Sequence, residues 1–295
     1  MLHQLFSPAN ITATVLTLIP FFAMVFCPST VERCASALPL TARILCPALL
    51  SIPYLLVTIS VGTFQWEWLL LYLLLPVTVA VLLWQARFAD PAQRGTWRDF
   101  SILAILGLAV DLRWFEPAWP PSFGIFNKFL LLNAGLYGFL VLRQLNGVGL
   151  DLRLRSQDVR IGLREFVFYV PIAIALGLSL GFLHVHANLP PLTRLVAAPL
   201  FTFFFIAVPE EIFFRGWLQN LLQRRWPPNR ALLLTAVLFG LSHFNKRTAY
   251  FNWRYVLLAA LAGVFYGRAW RQHQRVAASA ITHTAVDSIW SLWLR

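Results

Sequence analysis

Charge is scarce in this chain. Lys, Arg, Asp and Glu make up only 12% of its 295 residues, against 59% apolar side chains and a mean hydropathy of +0.67. No soluble domain of this size tolerates so little polar surface, which excludes a soluble globular protein. Cysteine is also rare: Cys27, Cys34 and Cys46 are the only three, without CxxC spacing. They offer neither a disulfide framework nor a cysteine metal centre, and small apolar filler is their expected role. There is no internal repeat, low-complexity tract, P-loop or GxGxxG fingerprint, so a solenoid and a nucleotide-phosphate cradle are excluded. The sequon at Asn10 and Thr12 is too short a match to carry weight.

What the chain does have is apolar runs. Up to ten helices are expected, at about 9–27, 44–62, 66–85, 100–114, 124–142, 166–183, 195–222, 231–243, 255–270 and 276–294. The fold class is therefore all-α, a polytopic transmembrane helix bundle of about 8–10 helices. The fourth run is short and carries Asp111 and Arg113 near its end, which suits a re-entrant or interfacial helix. The first lacks a basic leading region and a small-x-small cleavage site, so it reads as a retained helix. Trp66, Trp84, Trp114, Trp226, Trp270 and Trp290 fall near helix ends, as in an interfacial belt.

The net charge of +12 suggests nucleic acid at first sight, but its placement excludes that partner. With the N-terminus outside, most of the 24 basic residues fall in loops on one side, the asymmetry of cytoplasmic loops. The expected setting is a lipid bilayer, a bacterial inner membrane. Lys246, Arg247 and Arg254 are the exception, in a loop assigned to the other side.

Three segments follow. Residues 1–150 form transmembrane helices of unknown role, with Glu67 at a helix entrance and Lys128 close enough to a helix start to snorkel. Residues 151–165 alternate apolar and charged positions and read as a basic cytoplasmic connector or amphipathic helix, serving topology or binding lipid or a partner. Residues 166–295 hold the chemistry. His184 and His186 are two apart, which suits neither one helix face nor a metal site.

The run from Leu195 to Leu222 contains Pro209, Glu210, Glu211 and Arg215 in its middle. At about 1.5 Å per residue Glu210 lies roughly 24 Å from Arg194 and roughly 21 Å from Arg224, deep in a hydrocarbon core of about 30 Å. Each such charge costs about 2.5–3.5 kcal/mol to insert, so a function is expected to compensate. Glu211 and Arg215 are spaced i, i+4 for an ion pair; Glu210 points about 100° away, without a sequence-local partner, and suits a general base or acid. Pro209 frees a backbone carbonyl just before the acids.

Two later helices repeat the i, i+4 pattern. Phe239 and His243 share a face, and so do His283 and Asp287. Measured from the flanking arginines, His243 lies roughly 20 Å deep and His283 and Asp287 roughly 12 and 18 Å, comparable with Glu210. One shared polar cavity is the economical reading. A buried structural network remains open for the Glu-Glu-Arg cluster, and interhelical glue for either histidine.

Glu210-Glu211-x-x-x-Arg215, Phe239-x-x-x-His243 and His283-x-x-x-Asp287 together resemble the signature of the CAAX prenyl endoprotease and bacteriocin-processing (CPBP, or Abi) family of intramembrane proteases. The resemblance covers about residues 166–295. The usual Asn of the last motif is Asp287 here, so this side chain must be protonated, bind a metal or orient His283 rather than donate an amide to an oxyanion. The resemblance implies an intramembrane endopeptidase. Glu210, assisted by His243, would activate water, and His283 with Asp287 would stabilise the oxyanion; Glu211 and Arg215 would hold the helix and aim Glu210, with Phe239 in support. The substrate implied is a peptide or protein, lipid-modified or carrying a membrane-embedded sorting tail.

Alternatives stand beside this reading. No cofactor is required, but a divalent metal such as zinc held by Glu210, His243, His283 and Asp287 would use the same residue types. Buried Glu, His and Asp also make proton relays, so a proton-coupled transporter that recruits Lys128 is a second class, although related halves and interrupted helices in matching positions are not visible. A third is a catalytically inactive membrane binding or immunity protein of the same fold.

Overall fold

The computed structural model describes residues 7–186, 189–246, 248 and 250–294. Arg247, counted above among the basic exceptions, lies outside the described residues. The fold is all-α and polytopic, and no strand occurs among the described residues. It divides into two compact units, residues 1–146 and 147–295.

The first unit runs through α1 (Pro8–Phe26), α2 (Pro28–Ser36), α3 (Leu40–Val61), α4 (Trp66–Ala89), α5 (Trp97–Asp111) and α6 (Gly124–Leu142). Local chemistry sets the ends. Ser7 caps α1 through Asn10 N, with Pro8 in the first turn. Thr96 and Asp99 form a capping box on α5, and α3 stops at Gly62, whose φ of 73° suits a residue without a Cβ. At the centre, Tyr54, Tyr72 and Trp119 stack or meet edge to face within 5.8 Å, and the Trp119 indole N–H donates to the Tyr72 hydroxyl at 2.6 Å.

The second unit comprises α7 (Ser156–Ser179), α8 (Leu192–Gln223), α9 (Pro228–Leu241), α10 (Trp253–His273) and α11 (Val276–Trp293). Glycines let its helices approach closely. A Cβ on Gly162 of α7 would lie 2.7 Å from the Ile281 Cβ of α11, and one on Gly263 of α10 would lie 3.0 Å from the Ala236 Cα of α9. Helix α8 is not a uniform α-helix: Phe203–Ala207 and Ile212–Gln219 are π-helical on either side of the turn with Pro209, Glu210 and Glu211. The wider turns accommodate the missing proline N–H within an unbroken helix.

Among the described residues six helices, α1, α3, α4, α6, α7 and α8, are long and apolar enough to cross a membrane. The protein is an integral, multi-pass membrane protein.

The connector turns helical at Ser156, where α7 begins, because Asp158 accepts from the Arg155 N–H and closes the first turn. Two expectations need correction. Cys27 and Cys34 are exposed and Cys46 only partly covered, so none is buried filler. Finally, α9 ends at Leu241, and His243 lies in the following turn. The reason is local: the Phe239 carbonyl accepts from the Ser242 hydroxyl at 2.8 Å and from His243 Nδ1 at 2.8 Å, where a helix would bring the next backbone N–H.

Candidate functional site

The buried charges of α8 belong to a ring-lined cluster in the second unit. Glu211 and Arg215 are both fully buried, and Arg215 Nη1 donates to Glu211 Oε1 at 3.1 Å, the pair expected from the i, i+4 spacing. Arg215 Nη2 donates to the Gly263 carbonyl at 3.0 Å. Its guanidinium carbon lies 4.6 Å from the Phe239 ring centroid and 5.3 Å from that of Tyr266, so two aromatic faces take the place of water around the cation.

His283 is held by α8 as well as by its own helix. Its Nδ1 lies 2.9 Å from Glu211 Oε1, so the same carboxylate oxygen that pairs with Arg215 accepts from the imidazole. The ring lies flat against Tyr266, centroids 4.6 Å apart at 15°, and meets Phe239 edge-on at 5.7 Å. Nε2 is therefore the free corner. Asp287 Oδ2 lies 3.5 Å from it and Glu210 Oε2 3.9 Å, both longer than an N–H···O bond.

His243 is oriented by the turn that ends α9. With Nδ1 donating to the Phe239 carbonyl, the other ring nitrogen keeps its lone pair and becomes the acceptor. The imidazole packs between Phe239 and Tyr255, each centroid 4.9 Å away. Phe239 thus touches Arg215, His243 and His283 at once, a larger part than the supporting one expected.

The cluster opens on a cavity of about 80 Å³. His243, His283 and Asp287 supply its polar wall and α7, α10 and α11 an apolar one, including Ile174, Leu258 and Val286. Glu210 is not among the residues that line it, and its Oε2 lies 3.9 Å from Nε2 of His283, which does. Its carboxylate is 27% exposed, and Lys246 Nζ lies 3.8 Å from its Oε1.

The three motifs therefore do meet, with one change of role and two additions. Glu211 anchors His283 more directly than it aims Glu210, a contact invisible in the sequence because the two residues are 72 positions apart. Lys246 was readable only as a basic residue in the wrong loop. Tyr266 carried no signal, being one aromatic among the 32 Phe and Tyr of the chain. Lys128, by contrast, is exposed in the first unit. Among the described residues no three His, Cys, Asp or Glu side chains converge as ligands; the Nδ1 atoms of His243 and His283 are engaged by a carbonyl and a carboxylate, which leaves each Nε2 as the atom that faces a substrate or an ion.

Comparison with known families gives a match over this region. Residues 191–289 match the family model described as type II CAAX prenyl endopeptidase Rce1-like, a span that takes in Glu210, Glu211, Arg215, Phe239, His243, His283 and Asp287. No curated protein and no solved structure matches the chain.

Proposed function

With residues 191–289 belonging to the Rce1-like type II CAAX prenyl endopeptidase family, a family of membrane-embedded proteases, we propose that the chain is an intramembrane endopeptidase working through a glutamate-activated water. One observation carries this reading. Glu210 Oε2 and Asp287 Oδ2 lie 3.9 and 3.5 Å from His283 Nε2, near enough for two carboxylates and an imidazole to act on one bound water or carbonyl oxygen.

Glu210, assisted by the His243 nitrogen that is not tied to Phe239, takes a proton from the water as its oxygen attacks the scissile carbonyl carbon. The carbonyl oxygen becomes an oxyanion in front of His283 Nε2–H, which donates to it. Glu211 holds the imidazole in place through Nδ1, and Asp287 orients it from the open side. The tetrahedral intermediate collapses as the C–N bond breaks, and Glu210 returns its proton to the leaving amine. The apolar wall of the cavity supports a substrate that is lipid-modified or carries a membrane-embedded tail. The asymmetry of the arginine-bearing loops supports a bacterial inner membrane.

The test is Glu210→Gln in the full chain. Removing a general base lowers turnover about 10²–10⁴-fold, and Glu210 is part-exposed, so the fold is expected to persist. Terminal peptide mapping of the membrane proteome with wild type and variant should show new termini only with wild type. Unchanged cleavage by a folded variant rejects Glu210 as the base.

A further inference from the structure

The connector and the two helices beside it concentrate positive charge that the fold does not neutralise. Seven arginines, at 153, 155, 160, 164, 268, 271 and 275, face three carboxylates, Asp151, Asp158 and Glu165, a surplus of four charges. All three carboxylates are committed. Arg275 grips Asp158 through two bonds of 2.7 and 2.9 Å and Asp151 through one of 3.3 Å. Asp151 also meets Arg153 at 3.0 Å and Arg155 at 3.1 Å, and buried Glu165 is shared by Arg164 at 2.7 Å and Arg268 at 3.0 Å. Arg160 is exposed and has no ion pair among the described residues. The Arg153 and Arg155 side chains are 77% and 60% exposed, so they reach outward despite their contacts.

An apolar stripe begins beside these cations. Val159, Leu163 and Val167, at i, i+4 and i+8 of α7, are 38%, 46% and 62% exposed. From Arg160 to Val167 the helix rises about 10 Å, the step from a headgroup layer into acyl chains. This face continues into the membrane-crossing part of α7, so lipid covers it. Guanidinium forks at its upper end match phosphate oxygens in both charge and geometry.

We propose that the start of α7 and the end of α10 form a binding site for anionic phospholipid, with the headgroup phosphate on Arg160 and its neighbours Arg153 and Arg164 and the acyl chains along Val159, Leu163 and Val167. The site bears on the candidate catalytic cluster through a short path. Gly162, on the packed side of α7, has its carbonyl bonded by the Thr282 hydroxyl at 3.0 Å, and Thr282 precedes His283. A headgroup that fixes the outer face of α7 thus steadies the helix against which α11 presents His283.

The inference stands apart from the proteolytic reading, because its test measures lipid. The full chain is placed in nanodiscs of phosphatidylcholine with and without phosphatidylglycerol, and retained lipid is counted by native mass spectrometry. Wild type should retain phosphatidylglycerol in preference to phosphatidylcholine. Arg160→Gln should weaken that preference about fivefold, the worth of one arginine near an anionic surface, and Arg153→Gln combined with it should weaken it further. Arg98→Gln, in the first unit, should leave it unchanged. Equal retention of the two lipids by wild type overturns the site, and so does an Arg160→Gln variant that keeps the full preference. Displacement of the retained lipid by inorganic phosphate overturns the assignment to phospholipid.

Discussion

In the first unit Arg143 is fully buried beside Asp99 and Asp90; in the second, Arg215 is fully buried beside Glu211. Every nitrogen of the Arg143 fork is bonded, with Nε on Asp99 Oδ1 at 2.8 Å, Nη2 on Asp90 Oδ2 at 2.7 Å and Nη1 on the Asp90 carbonyl at 3.2 Å. Its carboxylates are also occupied, Asp99 capping Thr96 and Asp90 accepting from the Gly95 N–H. Around Arg215 the bonds run short. Its Nε and Glu211 Oε2 have no hydrogen-bond partner among the described residues, and Glu211 Oε1 serves both Arg215 and His283. A saturated buried pair fixes connections between helices, whereas an unsaturated one beside two histidines and a part-exposed glutamate keeps polar capacity for something that arrives later.

The contrast can be broken from either side. Arg143→Met strands two carboxylates, one of them fully buried, and should cost about 3–5 kcal/mol of stability. A thermal unfolding scan should show the loss, while proteolysis per folded molecule stays at the wild-type level. Glu211→Gln keeps the shape but removes the charge that holds His283 and Arg215. Hydrogen bonds to charged groups are worth about 1.5–3 kcal/mol, so kcat/KM should fall about 10- to 100-fold. The unfolding midpoint should fall as well, since Gln leaves fully buried Arg215 without its counter-charge; the contrast lies in activity per folded molecule, and it fails if Glu211→Gln keeps the wild-type kcat/KM as Arg143→Met does.

A smaller effect separates the connector from both. Burial pushes the Asp151 carboxyl up, but hydrogen bonds from Arg153 and Arg275 outweigh it and bring the pKa down from 3.8 to about 2. Arg275 is in turn held above its ordinary value, chiefly by its hydrogen bond to Asp158. Because the folded carboxyl is the stronger acid, its contribution is complete above pH 3.8 and disappears as pH falls through about 2. The unfolding midpoint of wild type should drop across that window, and the drop should be shallower in Asp151→Asn.

Much of this was legible in the chain. Helices at 66–85, which the structure extends to Ala89, and at 124–142 follow from apolar length, and the Glu211–Arg215 pair follows from a spacing of four. The end of α9 did not, because no Pro or Gly follows Leu241 to mark a stop, and competition for the Phe239 carbonyl ends the helix. Nor did the π-helical turns of α8 show, since periodicity registers a helix but not a widened turn. Lys246 near Glu210 was equally hidden, as a loop's path depends on what anchors it. Here the Asn252 side chain holds the Lys246 carbonyl at 3.2 Å.

By itself the sequence determined that the protein lives in a membrane and that its costly intramembrane charges and histidines gather in the second half, because hydropathy and the cost of inserting a charge act residue by residue. Tertiary structure alone decided who holds whom: that His283 hangs from Glu211, that Phe239 joins three motif residues, and that Arg160 is left over while every nearby acid is taken. Those outcomes depend on close approach between distant segments, made by glycines at helix crossings and by carbonyls freed at helix ends, and a linear pattern does not record such contacts.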